Sequence, residues 1–178
     1  MHAKPRPERL ILSRQDTPIG EVFIAVDEDG ALRALDFTDY EARMRRLFRL
    51  HYDQVELAQG KLPMTLVDSL GAYFSGDLSA INSLIVETGG TVFQRSVWRA
   101  LRSIPAGETI SYAALAAIVK SPRGMRAVGL ANGANPIAIV VPCHRVIGAN
   151  GNLTGYAGGL ARKRWLLEHE GVRISAAA

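Results

Sequence analysis

Cysteine is almost missing from this sequence. Among its 178 residues there is one, Cys143, beside four histidines. A lone cysteine excludes an intrachain disulfide and any zinc site built from several thiolates. His2, His51, His144 and His169 are scattered and lack the close ligand spacing of zinc fingers or zincins, so no metal and no cofactor are expected. Long hydrophobic runs are missing too. The chain is 48% hydrophobic, enough for a packed core, yet no apolar run approaches the ~20 residues of a membrane span. The opening "MHAKPRPERL" is charged and has no signal-peptide stretch. These absences point to a chain with no membrane partner, in the reducing cytoplasm.

Acidic residues are scarce in one half only. Residues 1–88 carry 10 Lys/Arg and 14 Asp/Glu, a net −4. Residues 89–178 carry 11 Lys/Arg and only 3 Asp/Glu, a net +8. A basic half beside an acidic one suggests that the basic half meets a polyanion; an uneven solubilising surface is the plainer alternative.

What is present divides at the same place. "ERLILSR", "GEVFIAVD" and "ALRALDF" are short strand-like runs separated by turn signals, which predicts a small antiparallel sheet. "YEARMRRLFRLHY" and "MTLVDSLGAYFSG" have helical spacing, with Met44, Leu47, Phe48 and His51 on one face of the first; His51 reads as a surface or half-buried residue. Residues 1–88 thus read as a small α+β or α/β domain with no catalytic constellation, and 89–178 as a second, mainly α, domain. Thr91 and Gln94 have capping-box spacing ahead of "VFQRSVWRALRSI". Ser111 caps "YAALAAIVK", and "MRAVGLANGA" follows a break at "SPRG", the outline of a helix-turn-helix. "IAIVV" reads as a strand, Asn150-Gly151 as a hairpin turn, and "GLARKRWLLEHEG" as a last helix closed by Gly171.

The second helix of the pair is rich in small residues: Ala127, Gly129, Ala131, Gly133 and Ala134. Each glycine costs a helix about 1 kcal/mol, so the composition needs a reason. One is close packing on another helix. The other is close approach to DNA, whose minor groove is only about 6 Å wide, with Arg126 at the helix start within reach of the base stack.

A cysteine attacks as its thiolate. His144 is adjacent in sequence, but consecutive side chains diverge in strands and helices alike, so a Cys–His contact needs a bend at Pro142 or a bridging water. Glu170, or alternatively Glu168, could orient the histidine. An inert buried thiol and a cysteine hydrolase stay open on these residues; a zinc deaminase lacks its second cysteine and its upstream motif.

"IVVPCHRVIG", "RAVGLANGANP", "GYAGG" and "WLLEHEG", in this order, resemble the 6-O-alkylguanine–DNA alkyltransferases (methylated-DNA–protein-cysteine S-methyltransferases) of the short free-standing bacterial type. The resemblance is dense over 89–178 and looser over 1–88. It implies a ribonuclease-H-like α/β N-terminal domain, 1–88, in a supporting role and a winged-helix or helix-turn-helix C-terminal domain, 89–178. It also implies a monomer that binds double-stranded DNA through the minor groove and flips out the alkylated base. The alkyl group passes once and irreversibly to Cys143, from guanine and in some members from thymine. On this resemblance His144 is the base acting through a water, Glu170 holds the imidazole, Asn135 braces the turn, and Tyr112 donates to the departing guanine. Arg126 fills the gap left by the base, and Met125, Ala127, Gly129, Arg123, Thr91 and Gln94 face DNA. Tyr156, Ala157, Gly158 and Val146 line the base pocket, with Ala157 where many members carry serine. Arg145 is assigned to structure.

Overall fold

The computed structural model describes residues 7–174. Residues 1–6 of the charged opening, His2 among them, lie outside the described residues. Strands β1 (Arg9–Gln15), β2 (Val22–Val26) and β3 (Leu32–Phe37) form the expected meander. Helices α1 (Glu41–Tyr52) and α2 (Met64–Phe74) follow it. The sheet is not purely antiparallel, because β4 (Glu56–Gln59) joins the outer edge of β1 in parallel and gives the order β3-β2-β1-β4.

β2 is buried on both faces, which its run of apolar residues requires. On one face Phe23 and Ala25 pack with Met44, Phe48 and Tyr52 of α1. On the other, Val22, Ile24 and Val26 join α2 and the C-terminal helices in the larger core. His51 is buried at 6% exposure, not at the surface. Its ring meets Tyr52 and Trp98, because α1 is covered by the second half of the chain.

In that second half, α3 (Val92–Arg102), α4 (Tyr112–Ile118) and α5 (Met125–Gly133) pack on one another, and α6 (Leu160–His169) closes the chain. Thr91 and Gln94 make the capping box in both directions, and Ser111 caps α4. Trp98 Nε1 donates to the Ala131 carbonyl (2.8 Å) and ties α3 to α5. Gly171, at φ +84°, ends α6 with a bond to the Glu168 carbonyl.

Two expectations are corrected here. The "IAIVV" run is not a strand: only Ile137 bridges, to Leu35 on the free edge of β3, and Ile139 turns at φ +69°. It is apolar because it is buried, not because it extends. Asn150-Gly151 makes a turn, closed by Gly148 N to Asn152 O (2.9 Å), but no hairpin flanks it. The strand before it, β6 (Val146–Ile147), pairs in parallel with β5 (Ile110–Ser111) instead.

Candidate active site

The free edge of β3 grips the segment that leads to the cysteine. Leu35 donates to the Pro136 carbonyl (3.0 Å) and accepts from Ala138 (2.7 Å). The chain then winds through Val140 and Val141 into a short 3-10 turn, Cys143–Arg145, whose three residues are all buried. The chain does bend at Pro142, as the sequence allowed, but Cys143 and His144 make no direct side-chain hydrogen bond: Sγ meets Asn135, and His144 turns Nε2 to Glu170.

Cys143 is 4% exposed. Asn135 Nδ2 donates to its Sγ (3.1 Å) and to the Val141 carbonyl (2.8 Å), while Asn135 Oδ1 accepts from Ile137 N (3.0 Å). Asn135 therefore holds both ends of the segment 137–141 that leads into the turn, and the sulfur itself. Burial raises the thiol pKa, and the Asn135 bond opposes this in part, so the resting form is the thiol.

His144, fully buried, presents Nε2 to Glu170 Oε1 (3.0 Å). The same oxygen accepts from Arg145 Nη2 (2.8 Å) and Tyr73 Oη (2.7 Å), and Oε2 accepts from Arg145 Nε (2.8 Å). Burial would raise the Glu170 pKa, but donation from His144 and Arg145 outweighs it and holds the carboxyl ionised, below the ordinary carboxylate range. An ionised carboxylate only accepts, so Nε2 carries the imidazole proton and Nδ1 has a free lone pair. Nδ1 is buried and bonded to no protein group. Burial lowers the His144 pKa despite Glu170, which keeps the ring neutral. Arg145 also donates to the Ile104 carbonyl (2.5 Å), in keeping with a structural assignment.

Two groups in this neighbourhood escaped the sequence reading. Tyr73, from α2, reaches Glu170 from the other half of the chain. Lys163 is fully buried, and its Nζ donates to the carbonyls of Val146 (2.6 Å), Thr154 (2.7 Å) and Gly155 (3.4 Å), pinning the loop that carries Tyr156. Burial lowers its pKa to about 8. A signal for Lys163 existed: it shares the i, i+3, i+4, i+7 stripe of α6 with Leu166, Leu167 and Glu170, an inward phase no unpartnered lysine would take.

The remaining candidates fall into two groups. Tyr156 has a buried hydroxyl without a protein partner, and its ring stands edge-on to His144 at 6.4 Å. Ala157 is half-buried beside it. Gly158 is required, since a Cβ there would lie 2.6 Å from the Phe37 ring. Val146 is wholly buried. Tyr112 is half-buried at the start of α4, and burial raises its pKa. The DNA candidates lie apart from this cluster. Arg123, Met125, Arg126 and Ala127 are exposed on and before α5. Thr91 is exposed and Gln94 half-buried, each held by the other. Packing does not explain the α5 glycines: a Cβ at Gly133 would meet nothing within 4 Å, and one at Gly129 only ordinary contact with the Tyr112 ring at 3.9 Å.

Arg43 of α1 ties the halves together behind the site. It pairs with buried Asp36 and donates to the carbonyls of Gly133 (2.7 Å) and Asn135 (2.8 Å).

Residues 92–172 match the family described as 6-O-methylguanine DNA methyltransferase, DNA binding domain, and residues 10–88 match the ribonuclease-like domain of the same proteins. The methylated-DNA–protein-cysteine methyltransferase of Salmonella typhimurium is 52% identical over 165 residues, covering 92% of this chain and 96% of that protein. The chain belongs to the 6-O-methylguanine DNA methyltransferase family. The Methanosarcina acetivorans member is 44% identical over 156 residues, covering 88% of this chain and 95% of that one. The Mycobacterium tuberculosis OGT solved in complex with DNA is 42% identical with a TM-score of 0.73, over 91% of each chain. Among the described residues, no helix is long and apolar enough to cross a membrane, and no cluster of three or more His, Cys, Asp or Glu could hold a metal ion.

Proposed function

We propose that this chain repairs DNA by direct reversal, taking the alkyl group of 6-O-alkylguanine onto Cys143 in a single irreversible turnover. The observation that carries the proposal is the arrangement around His144. Glu170 fixes the protonated Nε2, which leaves a neutral imidazole whose bare, buried Nδ1 belongs to the residue that follows the buried Cys143 in the same turn. The proton of Cys143 passes through a water to Nδ1, and Glu170 stabilises the imidazolium that forms. Sγ attacks the alkyl carbon, the carbon–oxygen bond breaks, and the electron pair leaves on guanine. Tyr112 donates a proton to that departing anion. The product is a thioether, which offers water no carbonyl, so the thiol is not restored.

The substrate reaches Cys143 flipped out of the duplex, because base chemistry cannot proceed inside the stack. The helix pair α4–α5 acts as a helix-turn-helix, with the small outward face of α5 in the minor groove and Arg126 in the place of the flipped base. Arg123, Met125, Ala127, Gly129, Thr91 and Gln94 lie along the DNA, and Tyr156, Ala157, Gly158 and Val146 wall the base. One chain carries every group named, which supports a monomeric acting unit.

The test uses an oligonucleotide with 6-O-methylguanine labelled in its methyl group. Label should appear on Cys143, saturate at about one per chain as a spent nucleophile requires, and vanish in Cys143→Ala. Binding without label would leave a lesion-recognition module; repeated turnover with soluble product would indicate a hydrolase. Arg126→Ala should slow transfer from duplex DNA far more than transfer from the free base, and equal losses would remove the flipping role.

A further inference from the structure

Given this repair reading, on which the inference rests, we propose that the groove between α1, α3 and α5 seats the phosphate backbone of the DNA strand flanking the lesion. The groove measures about 1370 Å³, and Gly129, Leu130 and Gly133 of α5 form one of its lips. A duplex laid on the outward face of α5 therefore runs across the groove mouth.

The lining carries five arginines and a single acid, Glu87. Two of the arginines are committed inside the protein, Arg33 to Asp27 (2.6 Å) and Arg43 to Asp36. The other three are not. Arg46 on α1 and Arg99 on α3 are exposed and, among the described residues, enter no hydrogen bond or ion pair. Arg95 gives one N–H to the Gly90 carbonyl (2.5 Å), which leaves its charge uncompensated. Three guanidiniums without a carboxylate partner, one on α1 and two on α3, focus a positive potential in a concave surface, and their planar forks match phosphate oxygens. Val92 and Leu130, 76% and 71% exposed, supply apolar contact of the kind deoxyribose accepts. Arg46 belongs to the acidic half of the chain, so that half presents basic groups where α5 meets DNA.

The experiment measures binding of the full chain to a duplex with one central 6-O-methylguanine over a salt series, alongside Cys143 alkylation by free 6-O-benzylguanine. Arg46→Ala/Arg99→Ala should lose roughly 10-fold in duplex affinity, with the log–log salt slope smaller by about 2, as two lost phosphate contacts require. Arg46→Lys/Arg99→Lys should keep the slope, and all variants should react with the free base as the unaltered chain does. An unchanged affinity and slope would overturn the proposal and leave the groove to an acidic protein segment, with the repair reading intact. A loss on the free base equal to that on the duplex would overturn it too, since the arginines would then act through the fold of the site. An unaltered chain that takes no label from either substrate would remove the repair reading and this proposal together.

Discussion

The turn at Cys143–Arg145 and the outward face of α5 are built on opposite terms. In the turn all three residues are buried, and Asn135, Tyr73, Glu170 and the Ile104 carbonyl close around it. On α5, Met125 and Leu130 are 53% and 71% exposed, and two glycines occupy helix positions that packing does not require. The groups proposed to handle a proton are immobilised by the protein itself. The groups proposed to meet DNA are left short and uncommitted. A mutation in the first region should cost stability and chemistry together, and one in the second should separate them.

Glu170→Gln should break the first region hardest. It removes the negative charge from three buried donors, His144, Arg145 and Tyr73, and loss of one partner of a buried pair costs about 3–5 kcal/mol. The unaltered protein should also lose stability in acid. A carboxyl whose pKa is depressed on folding stabilises the fold at neutral pH, and this is lost as pH falls below the ordinary carboxylate value through the depressed one. Urea midpoints measured across the acid range should therefore fall for the unaltered chain and fall less for Glu170→Gln; parallel curves would contradict the assignment.

Arg43→Ala should have an intermediate effect. It leaves Asp36 buried without its partner and frees the Gly133 and Asn135 carbonyls, costing about 2 kcal/mol for a partly exposed arginine. Because Asn135 holds the sulfur, alkylation by a free base should slow as well, in a stopped assay at a temperature where the variant remains folded.

The smallest effect sharpens the comparison most. Gly133→Ala should stabilise the protein by up to about 1 kcal/mol, since the helix gains propensity and the new methyl meets open space. The same methyl should weaken binding to duplex DNA. Opposite signs in thermal melting and duplex titration are expected, and a variant improved in both would show that α5 does not face DNA.

Much of this was legible in the sequence where the determining interactions are local. The meander, the capping box at Thr91 and Gln94, the Ser111 cap and the Gly171 stop depend on neighbours a few residues away. β4 was missed because "ELAQ" lacks β-branched residues and forms only by lying along β1. "IAIVV" misled because burial, not extension, made it apolar. The Asn150-Gly151 turn had no strands to join, since β6 had already paired with β5. At the site, Cys143, His144 and Glu170 stood out by residue type, whereas Asn135 and Arg145 entered only through the family resemblance. Tyr73 was not, because its partner lies 97 positions away and nothing in "LGAYFSG" announces it.

That long reach also bears on how the molecule assembles. The Tyr73–Glu170 bond closes one of the longest loops in the chain, and Arg162 with Asp39 closes a longer one over 123 positions. Contacts of such separation are entropically expensive to close. Sheet and helices can organise while the α6 carboxylate is still in water, where it needs no partner. Docking of α6 against α2 brings Glu170, Tyr73, His144 and Arg145 together, so on the proposed mechanism the cysteine gains its base in the same event that completes the fold. A half-folded chain would thus carry an unarmed thiol, and would not consume its single turnover on stray alkylating agents before it is ready for DNA.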